Sequence, residues 1–199
     1  HLRIVANASI GVNNVATGAL RARGAWCTNT PDAFADATAD CTLGLLLMLL
    51  RRLGEAERYV RAGRWQAFTP GGWDGSLLRG RTLGLVGYGR IGQAVEQRAA
   101  AFGMRVIHHT RHPTGHPGWC RRDDLLADAD IVSLHVPLNA DSTGLINADA
   151  LARMKRGAWL LNLSRGPVVD EVALLEALQA GRLAGAALDV FAREPAVPA

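Results

Sequence analysis

Leu83-Gly84-Leu85-Val86-Gly87-Tyr88-Gly89-Arg90-Ile91-Gly92 decides the fold of this chain: a short apolar run, then a turn with glycine at its first, third and sixth places. The residues that follow have helical spacing. A strand feeding such a turn directly into a helix is the context in which this glycine pattern acquires physical meaning; elsewhere it is an ordinary loop. Gly87 permits the tight strand-to-helix turn, Gly89 leaves room for a pyrophosphate against the backbone, and Gly92 lets the helix lie close to the sheet. The amides and the dipole of the helix N-terminus then face an anion.

From this turn toward the C-terminus, apolar or β-branched runs alternate with longer helical stretches. Strands are expected over 83–86, 104–108, 131–135, 159–163 and 185–190, with helices between them. The clearest helix is 91–102, where Ile91, Val95 and Ala99 recur every four residues and Gly103 marks the stop. This is the pattern of a parallel sheet covered on both faces, an α/β doubly wound Rossmann-type fold. Toward the N-terminus the character changes. Residues 2–6 read as a strand, a short helix runs toward Arg23, and Asn29-Thr30-Pro31 leads into one long helix ending near Ala62. The Gly- and Trp-rich stretch 63–80 reads as a loop wrapped over the surface, and no internal repeat points to a solenoid.

With 199 residues and 49% hydrophobic content the chain can build a substantial core. The apolar run 45–50 meets Arg51 and Arg52, far short of the roughly 20 residues a membrane span needs. His1-Leu2 begins no charged leader, so the expectation is a cytoplasmic protein, of which this is an excised piece. Cys27, Cys41 and Cys120 are odd in number and widely spaced, with no disulfide framework and no metal-ligand pair. The net charge of +4 comes from scattered arginines, Lys155 being the only lysine, and this argues against nucleic-acid binding.

In an NAD-binding unit an acidic residue at the end of the second strand holds the adenosine ribose hydroxyls. Here that strand ends His108-His109-Thr110-Arg111-His112. A carboxylate would repel a 2′-phosphate, whereas the Thr110 hydroxyl and the Arg111 guanidinium can hydrogen-bond it. NADP is therefore the preferred cofactor, with NAD still admissible. The competing reading of this stretch is a metal site from His108, His112 and His116; Pro113 and Gly115 argue against the helix it needs, and no metal is expected. Farther on, Asn162-Leu163-Ser164-Arg165-Gly166-Pro167 places Arg165 at the end of an apolar strand, where ligands bind in such sheets. A guanidinium there can hold a carboxylate bidentately and polarise a neighbouring carbonyl; alone, it would read equally as a structural ion pair.

These strings, with Asn29-Thr30-Pro31, Ala37-Thr38-Ala39-Asp40, Leu134-His135-Val136-Pro137-Leu138, Gly144-Leu145-Ile146-Asn147 and Asp189 through Pro195, resemble the D-2-hydroxyacid dehydrogenase family along the whole chain. Gly63-Arg64-Trp65 and the Thr110-Arg111 ending are most similar to its glyoxylate/hydroxypyruvate reductases and 2-ketogluconate reductases, which typically use NADPH. The resemblance implies hydride transfer between NAD(P)H and a small 2-oxo acid. It makes Arg165 the substrate-orienting arginine and Glu194 the partner of a catalytic histidine. Arg90 and Ile91 would meet the pyrophosphate beside Gly87, Gly89 and Gly92; Thr110 and Arg111 the adenosine ribose or its phosphate. Val136, Pro137 and Thr143 would line the cofactor trough, and Leu163, Ser164 and Asp189 the nicotinamide.

Ser9, Ile10 and Gly11 match the family's substrate-carboxylate loop, with Asn13 where an Asp is common. The resemblance also implies that residues 1–34 are the remnant of a flavodoxin-like substrate lobe and its hinge, that 35–199 form the dinucleotide-binding domain, and that the protein is a homodimer associating through the long helix. The family's histidine follows the Glu by about twenty residues, past Ala199, so the chain alone is expected to be inactive. Two alternatives stand beside this reading. A nicotinamide-sensing co-regulator is opposed by Arg165 and Glu194 together, and a formate or phosphoglycerate dehydrogenase by the basic end of the second strand.

Overall fold

The computed structural model describes residues 1–197 of the chain. The principal sheet has five parallel strands in the order β4-β3-β5-β6-β7: β3 Thr82–Val86, β4 Arg105–His109, β5 Ile131–Leu134, β6 Ala158–Asn162 and β7 Leu183–Leu188. Strands β3 and β5 are buried at every position, as a parallel sheet covered on both sides requires. On one face, α2 (Ala35–Leu50) and α4 (Arg90–Ala101) pack Leu43, Leu46, Val95 and Ala99 against Leu83 and Leu85. On the other, α5 (Arg122–Asp128), α6 (Ala148–Arg153) and α7 (Glu171–Gln179) pack Leu125, Leu126, Leu151 and Leu174 against Val132 and Leu160. The chain winds outward from β3 to β4 and then returns past it to β5, so the strand order reverses between β3 and β5. Crevices at such reversals are where doubly wound sheets take ligands.

The N-terminal segment forms a separate two-stranded parallel sheet, β1 (Ile4–Ala6) with β2 (Trp26–Thr28), joined through α1 (Thr17–Ala22). Strand β2, three residues long, has no sequence signal of its own. The single long helix expected up to Ala62 is two helices: α2 ends at Leu50 and α3 spans Leu53–Arg61, with Arg52 in the left-handed region at φ 55°. The cause is a long-range contact. The Ser76 amide donates to Leu50 O at 2.8 Å, and Gly75 lies so close that a Cβ would come within 2.7 Å of that carbonyl. The loop thus satisfies the end of α2 where another helical turn would have stood.

Asp130 clamps the entry side of the sheet: Oδ2 accepts the Thr82 amide at 2.8 Å and Oδ1 accepts Lys155 Nζ at 3.0 Å. Burial pulls its carboxyl pKa up, but the Thr82 amide and Lys155 outweigh burial, and the net direction is below the ordinary 3.8. A depressed folded pKa means that the unfolded chain binds the proton first, so this stabilisation is complete above the ordinary value and disappears as pH falls through the folded one. Asp130→Ala is expected to destabilise by about 1 kcal/mol at neutral pH. In urea melts over a pH series, the gap to the parent should close under acid conditions; a gap constant down to the acid limit would exclude the ionic clamp.

Candidate functional site

The turn after β3 is built as its sequence foretells. Gly87 sits at φ 99°, and a Cβ there would lie 2.4 Å from His135 O, so the turn and the end of β5 are in backbone contact. Gly92 is buried, with Gly87 O only 2.6 Å from where its Cβ would be. Gly89 is the N-cap of α4, no side chain caps that end, and the first helical bond runs from Gln93 N–H to Gly89 O. The amides of the first turn are thus presented to a ligand. Around this turn lies a cleft of about 970 Å³ that includes Gly87, Gly89, Thr110, Arg111, Val136 and Pro137 in its walls. Its size and its glycine floor fit an extended dinucleotide.

The other expected cofactor residues divide. Ile91 is half-buried in the α2/α4 core, and Arg90 points to Asp32, Nε to Oδ1 at 2.7 Å. Thr143 lies outside the walls of the cleft and donates to Asn139 O, while its neighbour Ser142 lines it. Thr110 Oγ1 donates to His112 O at 2.6 Å, and Arg111 pairs with Asp141. Leu163, Ser164 and Asp189 stand at the ends of β6 and β7, tied together by Asn162: its Oδ1 accepts the Ser164 amide at 3.0 Å and Ser164 Oγ at 2.8 Å, and its carbonyl accepts the Asp189 amide.

Asn162 also donates from Nδ2 to Arg165 O at 3.0 Å, which fixes the backbone that carries the guanidinium. Arg165 reaches across to the N-terminal sheet. Its Nη1 donates to Ser164 O at 2.7 Å, its Nε donates to Asn13 Oδ1 at 3.2 Å, and a Cβ on Gly11 would lie 2.5 Å from Nη2. The loop that meets it is braced: Asn7 Nδ2 and Ser9 Oγ donate to Gly11 O, and Asn29 Nδ2 donates to Ile10 O. Residues 152 apart in sequence therefore form one basic corner. Because Asn13 is neutral, the contact leaves the charge of Arg165 uncompensated; an Asp there would have paired with it.

Glu194 accepts the Phe191 amide at 2.8 Å, and Glu171 accepts the Ala192 amide at 2.7 Å. The Phe191 backbone rests on Gly166, where a Cβ would come within 1.9 Å of the Phe191 carbonyl carbon. Glu194 is thereby anchored on a turn beside Arg165 rather than joined to it directly.

Two histidines are packing residues. His108 is fully buried and stacks on Tyr88 at 3.7 Å between ring centres, with Nε2 at 3.1 Å from Thr114 Oγ1; burial lowers its pKa. Tyr88 donates to Glu96, and burial together with that carboxylate pushes the phenol up to about 12. His135 Nδ1 is closed off without a partner, Nε2 is 2.9 Å from Ser133 Oγ, and burial lowers the imidazole to about 4. A group that is neutral throughout the physiological range is a poor proton donor.

Sequence reading missed several residues of the cleft: His109, Arg121, Arg122, Asp123, Asp124 and Asp141. His109 ends β4, Arg121 to Asp124 open α5 and Asp141 lies on the loop after β5, so only the strand order shows that they line one cleft. Among the described residues, no group of three or more His, Cys, Asp or Glu side chains is placed to hold a metal ion, and no helix is long and apolar enough to cross a membrane.

The family described as D-isomer specific 2-hydroxyacid dehydrogenase, NAD binding domain, matches residues 43–199. A glyoxylate reductase of Korarchaeum cryptofilum is 44% identical over 99% of this chain and 61% of its own length. A crystal structure of a Thermus thermophilus protein superposes with a TM-score of 0.95 at 50% identity, covering 99% of this chain and 63% of the other. The NADPH-dependent glyoxylate/hydroxypyruvate reductase of Sinorhizobium meliloti, solved with NADP and malonate, gives 0.91 at 42% identity, with 99% and 63% covered. The chain thus spans about 61% of the length of the curated relatives it matches.

Proposed function

Because the chain belongs to the D-isomer specific 2-hydroxyacid dehydrogenase family, we propose that the protein reduces a small 2-oxo acid, glyoxylate or hydroxypyruvate first among them, with NADPH preferred over NADH. The observation that carries this reading is the corner where Arg165 meets the Ile10–Gly11 loop, at the sheet end that also carries the glycine turn. Arg165 binds the substrate carboxylate and polarises its carbonyl, with the loop amides as further donors. Asn162 holds the Arg165 backbone in place. Gly87, Gly89 and the first amides of α4 receive the pyrophosphate; Thr110 and Arg111 receive the adenosine ribose and its phosphate. Val136 and Pro137 line the trough, and Leu163, Ser164 and Asp189 face the nicotinamide. When bound, the reduced nicotinamide supplies the hydride.

The carbonyl oxygen takes a proton from an imidazole that Glu194 keeps charged and aimed. His108, His109, His112 and His116 belong to β4 and its loop, on the far side of β3 and β5 from β6, and His135 is neutral. We assign that role to none of these five histidines. Residues 1–34 are read as part of the substrate lobe, and 35–199 as the dinucleotide domain. The Asp36 and Asp40 carboxylates tie α2 to Arg98 of α4, while Met48, Leu53 and Val60 stay exposed along α2 and α3 and offer a homodimer contact.

The test is fluorescence titration of NADPH and NADH, followed by assays of both 2-oxo acids. NADPH should bind on the order of tenfold more tightly, as one charge-assisted phosphate contact allows. Equal or tighter NADH binding would overturn the cofactor preference, and no turnover of either acid by the full-length protein would overturn the substrate assignment.

A further inference from the structure

Arg111 is not open to solvent on all sides: its Nη2 is paired with Asp141 Oδ2. The two residues are 30 apart in sequence, on the loops after β4 and β5, and both line the nucleotide cleft. The pair therefore bridges the cleft from one wall to the other.

Asp141 is held there by a tight turn. Its amide donates to Asn139 Oδ1 at 2.9 Å, the Ser142 amide donates to the same oxygen at 3.1 Å, and Ser142 Oγ donates to Pro137 O at 2.6 Å. The other acidic residues of the cleft are Asp123 and Asp124; Asp123 faces Arg122 and Arg153 rather than Arg111. Both side chains of the Arg111–Asp141 pair are well exposed, 64% and 71%, so a competing anion can exchange with the carboxylate.

We propose that Asp141 is a specificity-determining residue, which occupies the Arg111 guanidinium in the free protein and so reduces discrimination in favour of NADPH. The inference rests on the reading that Arg111 meets the ribose phosphate. A 2′-phosphate, close to a dianion at neutral pH, must displace the carboxylate and then share the cleft with it. NADH carries no such group and makes no demand on Arg111. The acidic residue that an NAD-type domain carries at the end of its second strand is absent here, and Asp141 brings a carboxylate to the same cleft from the opposite wall. No sequence pattern around Thr110 reveals it.

Asp141→Asn keeps the turn, since the Asp141 contact to Asn139 is made by its amide. Titrated at low salt, this variant should bind NADPH on the order of three- to tenfold more tightly than the parent, with NADH changed by less than about twofold. The gain should shrink at high salt, as an exposed charge effect does. Arg111→Gln is the companion variant and should weaken NADPH selectively. If Arg111→Gln does so while Asp141→Asn leaves NADPH binding unchanged or weaker, Asp141 is no competitor and the inference fails, with the phosphate reading intact. If Arg111→Gln changes both cofactors alike, the phosphate reading fails and takes the inference with it.

Discussion

In the full-length protein assayed for the proposed glyoxylate reduction, Arg165→Gln is expected to lower kcat/KM by at least about 10²- to 10³-fold, the range seen when one preorganised donor to a developing oxyanion is lost, while NADPH affinity and melting temperature stay near those of the parent. Glutamine is neutral and cannot reproduce the two-pronged grip of a guanidinium on a carboxylate. The fold does not depend on the charge: the side chain makes one bond to a carbonyl and one to Asn13, and the backbone is held independently by Asn162. Arg165→Lys keeps the charge without the fork and should fall between the two. Steady-state kinetics beside a thermal melt decide the matter. Parallel losses of melting temperature and NADPH binding would make Arg165 a brace between the N-terminal sheet and β6, and near-parental kcat/KM would remove it from the chemistry.

What the sequence made legible follows the range of the interactions involved. Strands β3 and β5 read clearly because both faces are buried and every residue is apolar, small or tolerant of burial; their ends moved by no more than a residue. The expected strand over 104–108 is Arg105–His109, because the ladder continues while β3 can still pair with it. The glycine turn is a local device, and its local signal sufficed. The break at Arg52 was not legible, since Leu50-Arg51-Arg52-Leu53 contains no helix-breaking residue and the interruption comes from Gly75 and Ser76. Strand β2 exists only as the partner of β1. The meeting of Arg165 with Asn13 and that of Arg111 with Asp141 are likewise tertiary, between loops whose proximity is set by strand order.

Gly89→Ala and Gly87→Ala, two changes of one methyl group in the same turn, are expected to fail in different ways. At Gly89 the backbone is ordinary, φ −84° and ψ −160°, and a Cβ would meet nothing within 4 Å. The variant should fold with the parent's stability to within about 0.5 kcal/mol. The added methyl nevertheless occupies the space over which the pyrophosphate approaches the amides, and both NADPH and NADH should bind at least about 10²-fold more weakly. At Gly87, φ is 99° and the Cβ would lie 2.4 Å from His135 O and 3.0 Å from Val136 N, backbone against backbone with no flexible side chain to give way. That variant should lose on the order of 2–4 kcal/mol of stability, whether or not ligand is present. Denaturant melts and cofactor titrations on the two proteins separate the roles. A Gly89→Ala protein that is stable and binds both dinucleotides as the parent does would show that the phosphates do not rest on this turn, and the assignment of the cleft would fall with it.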